Sequence, residues 1–362
     1  MILAAVTLLL GCAGWLVLGR MRRCAEAPDA NAVSNERLSI IIPARNEERN
    51  LPVLLRSLAA QSVRPGQIIV VNDASTDGTA EVAKQHGARV VDSLPLPDGW
   101  RGKTWACHQG AQAAAGDQHL FLDADTWFEP DGLGRVLAEF KDAGGGAMSV
   151  APHHEVRKFH EQFSAFFNLV MLAGTGAFTL RGDGLAPRGL LGQFLLIDRS
   201  AYERVGGHES VKERILENFW LAEKLREACV PLRCRAGRGV FAFRMYPNGW
   251  REVIEGWTKG FAGGAGQTPP VILWLVVAWT TGLMLAPLAL ALDGFLWSGL
   301  VAYTFCAGQV GLMLRQVGAF HWLTALLYPA PLVFYFALFT RSVLRAKRGQ
   351  TVEWKGRQIR AG

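Results

Sequence analysis

The sequence predicts an α/β protein with a parallel, doubly wound sheet and apolar helices at both ends of the chain. Between residues 38 and 122, short β-branched segments alternate with helical segments of about 10–15 residues, the pattern of a parallel sheet covered by helices. Residues 2–19, 271–291, 294–314 and 320–340 are uncharged, and each is about long enough to cross a hydrocarbon core of ~30 Å. The 362 residues are 50% hydrophobic with a formal charge of +7. This composition indicates a water-soluble domain joined to membrane segments.

Strand and helix segments follow one another in the first half of that domain. The predicted strands are LSIIIPA (38–44), QIIVVND (67–73), ARVVDS (88–93) and HLFLDAD (119–125). The predicted helices are ERNLPVLLRSLAAQ (48–61), STDGTAEVAKQHG (75–87) and GKTWACHQGAQAAAG (102–116). The second helix opens with cap residues and ends at a glycine, as helices commonly do.

Polar motifs follow three of the predicted strands, at the point where each strand ends. They are PARNEE (43–48), NDASTD (72–77) and DADT (123–126). Ligands of open parallel sheets bind outside the carboxyl ends of the strands, so we expect the three motifs to meet at one crevice.

Asp123 and Asp125 are the candidate metal ligands. In a strand, residues i and i+2 point the same way, so both carboxylates would lie on one face and need a cation or proton between them. The alternative is a strand followed by a polar turn, which aspartate also favours. With Arg45 and Lys103 at the same edge, the crevice suits a nucleotide-sugar bound through Mg²⁺ or Mn²⁺. The sequence contains neither a dinucleotide fingerprint nor a P-loop.

The domain organisation follows from charge and hydropathy. Residues 1–20 are predicted to be a transmembrane anchor, with a cleaved signal peptide as the alternative. Arg20, Arg22 and Arg23 follow the apolar run and no basic residue precedes it, which indicates an uncleaved anchor with the main domain, residues 35–262, in the cytoplasm. This arrangement predicts a multi-pass protein of the cell membrane, in contact with membrane lipids.

Two apolar regions leave alternatives open. Residues 163–180 are predicted to lie in the membrane interface, facing an apolar substrate, or to form a buried core helix. Residues 268–342 are predicted membrane helices. Three full crossings there would leave the basic tail, residues 343–362, outside, although its Lys and Arg residues favour the inside. The last apolar stretch is interrupted by YPAP (328–331), so a re-entrant segment is the other possibility.

Cysteines and net charge exclude several other classes of site. The six cysteines contain no C-x-x-C pair, so we expect neither a disulfide framework nor a zinc site, in keeping with a reducing cytosol. The sequence pI is about 9.3, but the excess positive charge lies mainly in the tail. Basic residues beside membrane segments attract anionic lipid, so we expect no nucleic-acid partner.

The motifs carry a resemblance to a known family. IIPARNEE, VNDASTDGTA, GWRGKTWACHQG and FLDADT, in this order, resemble family 2 glycosyltransferases of the GT-A fold. APHHEVRKFHEQFSAFFNLV, GGH, FRMYPNGWREVIEGWTKGFAGGAG and VEWKGRQ extend the likeness over nearly the whole chain, to glycosyltransferases of carotenoid biosynthesis. The resemblance implies a mostly parallel GT-A sheet with helices on both faces and a metal-dependent hexosyltransferase.

The resemblance also implies roles for individual residues. Four of them would line a uridine pocket in the UDP-sugar donor site: Pro43, Arg45, Glu47 and Asp73. Asp73 would accept a hydrogen bond from the uracil N–H. Lys103 would approach the donor, Asp123 would lie at its ribose and Asp125 would ligate the metal directly. The alternatives are ordinary: solvated loop charges for Arg45 and Glu47, a helix cap for Asp73, a turn for Lys103.

Glu217 is the candidate catalytic residue. Inverting members of the family usually carry Glu-Asp near the acceptor, and the Asp removes the hydroxyl proton, whereas this chain has Glu217 followed by Asn218. A carboxylic acid acceptor, with a pKa of about 4–5, is already ionised at pH 7 and needs no base. The sequence therefore predicts transfer of a hexose, glucose by resemblance, to a lipophilic carboxylate such as a carotenoid acid. Glu217 would orient the acceptor, act as the base, or simply begin a helix.

Three further functions compete with this prediction. The first is transfer to another lipid acceptor, a polyprenyl phosphate or a hopanoid or lipid hydroxyl. The second is polysaccharide synthesis, which the absence of an Arg-Trp pair disfavours. The third is a non-catalytic membrane scaffold with the same fold, which would have no need for an intact D-x-D.

Overall fold

A computed structural model describes residues 1–25, 37–214, 216–292, 297–347, 351–354 and 357–360. Side chains at 259–267 and from 346 onward fall outside that description, and with them most of the predicted basic tail 343–362. The described residues divide into two units. The helical unit contains Met1–Met21, His154–Leu185 and the described residues from Met245 onward, and the sheet unit contains the described residues of Arg22–His153 and Ala186–Arg244.

The strands lie at the following positions: β1 (Leu38–Ala44), β2 (Gln67–Asn72), β3 (Arg89–Asp92), β4 (Gln118–Leu122), β5 (Thr126–Phe128), β6 (Ala147–Ala151), β7 (His153–His154), β8 (Phe194–Asp198), β9 (Leu232–Ala236), β10 (Phe241–Phe243), β11 (Thr351–Trp354) and β12 (Arg357–Arg360). The helices are α1 (Ile2–Gly11), α2 (Ala13–Leu18), α3 (Leu51–Ala59), α4 (Thr79–Gln85), α5 (Gly102–Ala113), α6 (Gly132–Asp142), α7 (Ala165–Gly174), α8 (Arg199–Arg204), α9 (Glu217–Glu227), α10 (Trp250–Gln267), α11 (Pro270–Leu292), α12 (Trp297–Val317), α13 (Trp322–Leu326) and α14 (Pro329–Lys347).

The main sheet has seven strands in the order β3-β2-β1-β4-β8-β6-β9. β3, β2, β1 and β4 are mutually parallel, as are β6 and β9, which confirms the predicted mostly parallel sheet. β8 is the exception, because it pairs antiparallel with both β4 and β6. Helices α3, α4 and α5 connect the first four strands, and such helical crossovers allow the strands to run parallel. The chain between β6 and β8 passes through the other unit, so no such crossover constrains β8.

Helices cover both faces of the sheet. Alternate β1 side chains point to opposite faces, so neighbouring apolar residues of this strand pack against different helices. Ile40 and Ile42 are fully buried on the face that packs with α3, whose Leu51, Leu54, Leu55 and Leu58 recur at helical spacing. Ile41 points to the other face, toward α5. A Cβ on Gly110 of α5 would lie 2.4 Å from Ile41 Cγ2. Glycine at 110 therefore allows α5 to pack closely on the sheet.

In the helical unit, α11 and α12 are long and apolar enough to cross a membrane, with 23 and 21 residues. Buried core helices of soluble proteins can have the same length and composition. Residues 2–18 form the shorter apolar pair α1 and α2. The predicted stretch 320–340 is not one helix, since the chain breaks between α13 and α14. The break lies just before the prolines of the YPAP motif, at Leu327 and Tyr328.

Two buried hydrogen bonds join three helices of this unit. Trp279 Nε1 donates to Gln309 Oε1 over 2.8 Å, and Gln309 Nε2 donates to the Gly11 carbonyl over 3.0 Å. Gly14 leaves room for the Trp279 ring, because a Cβ there would lie 2.5 Å from Trp279 Nε1. The buried indole and amide are thereby satisfied, and α1, α11 and α12 are joined by directional bonds.

Residues 163–180 contain α7, whose aromatic residues are buried inside the helical unit. Phe166 and Phe167 have 0% exposure, and the Phe167 ring stacks on Trp257 with centroids 4.6 Å apart. Trp257 Nε1 donates to Ser164 Oγ over 3.0 Å. α7 is therefore covered by protein at these residues. The structure also groups residues 154–185 with the terminal helices, whereas the sequence analysis assigned them to the domain 35–262.

Candidate active site

The loops after β1 and β2 are held together at the carboxyl edge of the sheet. Arg45 Nη1 donates to the Asp73 carbonyl over 2.8 Å, and the Asp73 N–H donates to the Ala44 carbonyl over 2.8 Å. Asp73 is 7% exposed. The two polar motifs predicted to meet in one crevice are thus in direct contact.

Further hydrogen bonds fix the conformation of the same two loops. Asn46 N–H donates to Ser75 Oγ over 3.1 Å, and Thr76 N–H donates to Asn46 Oδ1 over 2.8 Å. The Glu47 N–H donates to Thr79 Oγ1 over 2.8 Å. These bonds hold the two loops together as one cradle at the edge of the sheet.

The backbone of this cradle is strained at Ala74, and the Glu47 carboxylate is hydrogen-bonded to a residue close in the sequence. Asn46 and Ala74 have φ values of 54° and 51°, in the left-handed region. Asparagine tolerates this conformation, but alanine rarely adopts it, and such strain commonly marks functional loops. The Glu47 carboxylate accepts a hydrogen bond from Asn50 Nδ2 over 2.8 Å at the start of α3.

Lys103 connects three other parts of the sheet unit. Its Nζ lies 2.6 Å from Asp123 Oδ1, donates to the Gly192 carbonyl over 3.0 Å and lies 3.6 Å from Glu217 Oε1. The start of α5, the end of β4, the loop before β8 and the start of α9 therefore converge on one ammonium group. Three of the residues singled out from the sequence, Lys103, Asp123 and Glu217, form a single charged cluster.

Burial and charge act in opposite directions on the pKa values of this cluster. Burial alone would lower the pKa of Lys103, but the carboxylates of Asp123 and Glu217 outweigh it and raise that pKa. Burial raises the pKa of Glu217, with Lys103 acting against it. The Glu217 side chain is 10% exposed. The ammonium is therefore firmly protonated, and Glu217 binds a proton more readily than an exposed glutamate does.

Asp123 and Asp125 lie in a turn, not in a strand. β4 ends at Leu122 and β5 begins at Thr126, whose Oγ1 donates to the Asp123 carbonyl over 2.7 Å. The predicted strand over residues 119–125 therefore ends before Asp123, and the expectation that a strand holds both carboxylates on one face is wrong. The alternative, a polar turn, describes the backbone correctly. A turn still places the two half-buried carboxylates close along the chain.

The donor set of this turn is consistent with a cation that is only partly ligated by protein. Among the described residues, no group of three or more His, Cys, Asp or Glu side chains is placed to hold a metal. Mg²⁺ usually binds through one or two carboxylates, with waters and substrate phosphates as its other ligands. Asp123 and Asp125 fit that pattern.

A small cleft opens beside the charged cluster. Pro43 from β1 lines it together with Lys103, Asp123, Gly192 and Asn218. Pro43 therefore lies in the cleft of the charged cluster, whereas Arg45, Glu47 and Asp73 belong to the adjoining loops. Asp125 follows Asp123 in the turn.

Gly192 was not singled out from the sequence. A Cβ there would lie 3.0 Å from Asn218 Nδ2 and 3.4 Å from Lys103 Nζ, so the residue admits the two side chains to the cleft. The signal was present in GLLGQF, residues 189–194, because glycines directly before a strand often mark a close approach of the backbone.

His208 lines the cleft and is held in place by the protein itself. Its exposure is 2%, and its Nδ1 hydrogen-bonds the Tyr202 hydroxyl over 2.8 Å. Burial, with a contribution from Lys103, lowers the pKa of His208 to about 3, so the ring is neutral at physiological pH.

Comparison with known proteins agrees with the fold and the motifs. The sequence model of Glycosyl transferase family 2 matches residues 39–206. The chain is 36% identical over 361 residues to the 4,4'-diaponeurosporenoate glycosyltransferase of Staphylococcus aureus strain USA300, covering 98% of this chain and 95% of the relative. The protein of the same name from strain N315 is 36% identical over 333 residues, covering 90% and 88% of the two chains.

A solved structure shows the same fold at low sequence identity. The mannosyltransferase PcManGT from Pyrobaculum calidifontis, in complex with GDP-Man and Mn²⁺, superposes with a TM-score of 0.54. The identity is 19%, and the match covers 94% of this chain and 99% of that one. The sheet topology, the motifs and the full-length similarity together show that the chain is an enzyme of glycosyltransferase family 2 with the GT-A fold.

Proposed function

We propose that the protein transfers a hexose, with inversion, from a UDP-sugar to the carboxylate of a lipophilic carotenoid acid, giving a glycosyl ester. The observation that carries the proposal is the charged cluster at the start of α9, where Glu217 is followed by the amide of Asn218. The relative of 36% identity supports the acceptor, because its name states that it glycosylates diaponeurosporenoate, and the match spans 95% of its length. Glucose is the hexose that the resemblance implies.

The donor would bind at the carboxyl edge of the sheet. Pro43, Arg45, Glu47 and Asp73 would line the uridine pocket, with Asp73 accepting a hydrogen bond from the uracil N–H. The bonds that join the loops after β1 and β2 support this role, since they hold the pocket in place before the ligand arrives. Lys103 would approach the donor.

A divalent cation, Mg²⁺ or Mn²⁺, would be held by the D-x-D turn. Asp123 would lie at the ribose side, and Asp125 would be the direct ligand. When bound, such a cation neutralises the negative charge that develops on the departing diphosphate. The Mn²⁺ and GDP-Man of the structural neighbour are consistent with this arrangement.

The acceptor step needs no proton transfer. A carboxylate oxygen of the acceptor forms a bond to the anomeric carbon while the bond from that carbon to the diphosphate breaks, and its electron pair leaves with UDP. An alcohol acceptor would in addition have to lose its proton to a base. The neutral amide at position 218 supplies no such base, whereas Glu217 would orient the acceptor or a donor hydroxyl.

The enzyme would act as a multi-pass protein of the cell membrane, with the sheet unit facing the cytoplasm. The lengths of α11 and α12 support membrane insertion, and Arg20, Arg22 and Arg23 after α2 support a cytoplasmic orientation. A membrane location would bring the enzyme to its apolar acceptor.

Product analysis tests the proposed reaction. Lipid extracts of cells with and without the gene are compared by mass spectrometry, before and after mild alkali. We expect a hexosylated carotenoid acid only with the gene, and alkali should release the free acid because esters are labile. An alkali-stable glycoside of a lipid hydroxyl, a polyprenyl phosphate sugar, or no new hexosylated lipid would overturn the assignment of the acceptor.

A further inference from the structure

The Asn218 side chain carries an unsatisfied polar atom at the cleft. Asn218 is 5% exposed, and its Nδ2 donates to Glu217 Oε1 over 3.2 Å. Its Oδ1 is buried and makes no hydrogen bond to any described residue. Burying an unpaired carbonyl oxygen costs stability, so a ligand that completes it has to donate a hydrogen bond. A hydroxyl of the donor sugar can do so, whereas an ionised carboxylate cannot, so the acceptor would meet the amide through its N–H.

The position of this amide relative to the charges of the cleft is specific. Glu217 Oε1 receives the amide hydrogen bond and also lies 3.6 Å from Lys103 Nζ. Lys103 in turn pairs with Asp123. Lys103 and Asp123 line the cleft, the Glu217 carboxylate lies beside them, and the amide keeps the position next to Glu217 uncharged. A carboxylate at 218 would add a second negative charge within hydrogen-bond distance of the first.

We propose that Asn218 determines the chemical class of the acceptor, favouring a carboxylate over a hydroxyl. This inference rests on the proposed function and deepens it. A neutral amide does not repel an incoming carboxylate, and it has a second N–H to donate to one. The same amide cannot take the proton from a hydroxyl group at neutral pH. One residue would therefore favour acids and disfavour alcohols through two independent effects.

Replacing Asn218 by aspartate should reverse both effects. Asn218→Asp keeps the size and shape of the side chain but introduces a base and a negative charge. We expect the kcat/KM for an acid acceptor to fall by about tenfold or more, because a like charge now lies beside the reacting group. The kcat/KM for an alcohol should rise, toward the ~10²–10⁴-fold that a positioned general base contributes.

The experiment uses the full chain in lipid nanodiscs, with UDP-glucose as donor. Retinoic acid and retinol serve as acceptors because they are polyenes of matched length that differ only in carboxylate against hydroxyl. The ratio of kcat/KM for the two acceptors is the readout. Since both acceptors are measured on one preparation, partial loss of folded protein cancels in the ratio.

Two control variants separate charge from general damage. Gln112→Glu makes the same amide-to-carboxylate change on the exposed side of α5 and should leave the ratio unchanged. Asn218→Leu removes the polar groups without adding charge, so it should weaken acid transfer and bring no use of the alcohol. The leucine variant also tests the proposal if Asn218→Asp fails to fold, because a preference for retinol in it would contradict the assignment.

The outcomes distinguish the inference from the function on which it rests. If the wild-type protein forms retinoyl glucose ester and Asn218→Asp leaves the acid-to-alcohol ratio within about twofold, the role of Asn218 is wrong while the proposed function stands. If the wild-type protein prefers retinol, the proposed acceptor class itself is wrong. A ratio that shifts toward the alcohol in Asn218→Asp alone supports the proposal.

Discussion

The ammonium of Lys103 lies 2.6 Å from Asp123 Oδ1, so the first carboxylate of the D-x-D turn is already paired with a cation of the protein. The two side chains are 38% and 28% exposed, which shields the pair from solvent more than a surface ion pair. One oxygen of Asp123 is thereby engaged. A divalent cation is expected to take its direct protein ligand from Asp125.

Asp125→Asn should abolish metal-dependent binding of UDP and transfer of the sugar while the protein remains folded. The amide is nearly isosteric but lacks the negative charge that a hard cation requires. Calorimetric titration with UDP, with and without Mn²⁺, measures the effect. Asp131→Asn, an exposed change at the start of α6, is the matched control and should bind as the wild type does. Metal-dependent binding of UDP by Asp125→Asn would contradict the assignment.

Glu217→Gln should reduce transfer to a carboxylic acid by less than the ~10²–10⁴-fold that loss of a general base costs. Glutamine keeps an oxygen for the Asn218 amide but weakens the attraction for Lys103. The variant should therefore lose orientation and not a proton acceptor, and it should be less impaired than Asp125→Asn. Initial rates with the two variants decide this. A Glu217→Gln loss as large as that of Asp125→Asn would contradict a purely orienting role.

Acid should destabilise the sheet unit through His119. Burial, helped by the charge of Arg199, lowers the pKa of His119 from an ordinary 6.5 to about 4. The unfolded chain binds this proton more readily, so stability present above pH 6.5 is lost as the pH falls toward 4. His119→Phe should flatten that decline in thermal unfolding measured between pH 7 and 4.5, since aromatic neighbours surround the ring.

The decline in stability with falling pH should become shallower in His119→Phe without vanishing. His208 is also buried and neutral, so its protonation destabilises the folded protein in the same pH direction. His86→Gln changes an exposed histidine and should leave the pH dependence as it is. A decline of unchanged steepness in His119→Phe would show that another group controls acid unfolding.

Phe167→Ala should destabilise the helical unit by roughly 3–5 kcal/mol, the usual cost of removing a fully buried phenylalanine. The ring has 0% exposure and stacks on Trp257. Phe159→Ala removes the same side chain where it is 75% exposed and should cost little. Thermal unfolding of both variants in detergent compares them. Equal stability of the two would show that α7 is not a packing element of the folded protein.

Local sequence patterns were sufficient to predict the strands in the first half of the sheet unit. LSIIIPA and QIIVVND became β1 and β2 within one residue, because a continuous β-branched run bounded by turn residues fits a buried parallel strand. The meeting of the Arg45 and Asp73 loops also followed, since parallel strands place their carboxyl ends at one edge.

Other features depend on contacts between distant segments, which local patterns do not encode. β8 runs antiparallel because of the path that the chain takes between residues 151 and 194. The ammonium of Lys103 meets Glu217, 114 residues further along, only because α5 and α9 begin at the same edge. The burial of Phe166 and Phe167 could not be predicted for the same reason. A helix at the membrane interface and a helix in a protein core have the same apolar sequence pattern.

The segments of the two units alternate along the chain. Met1–Met21 and His154–Leu185 belong to the helical unit, and the chain enters the sheet unit after each of them before returning at Met245. No single cut of the gene can separate the units, and neither could be exchanged between relatives by one recombination event. A gene fragment that encodes one whole unit and nothing of the other therefore cannot be obtained as a single continuous stretch.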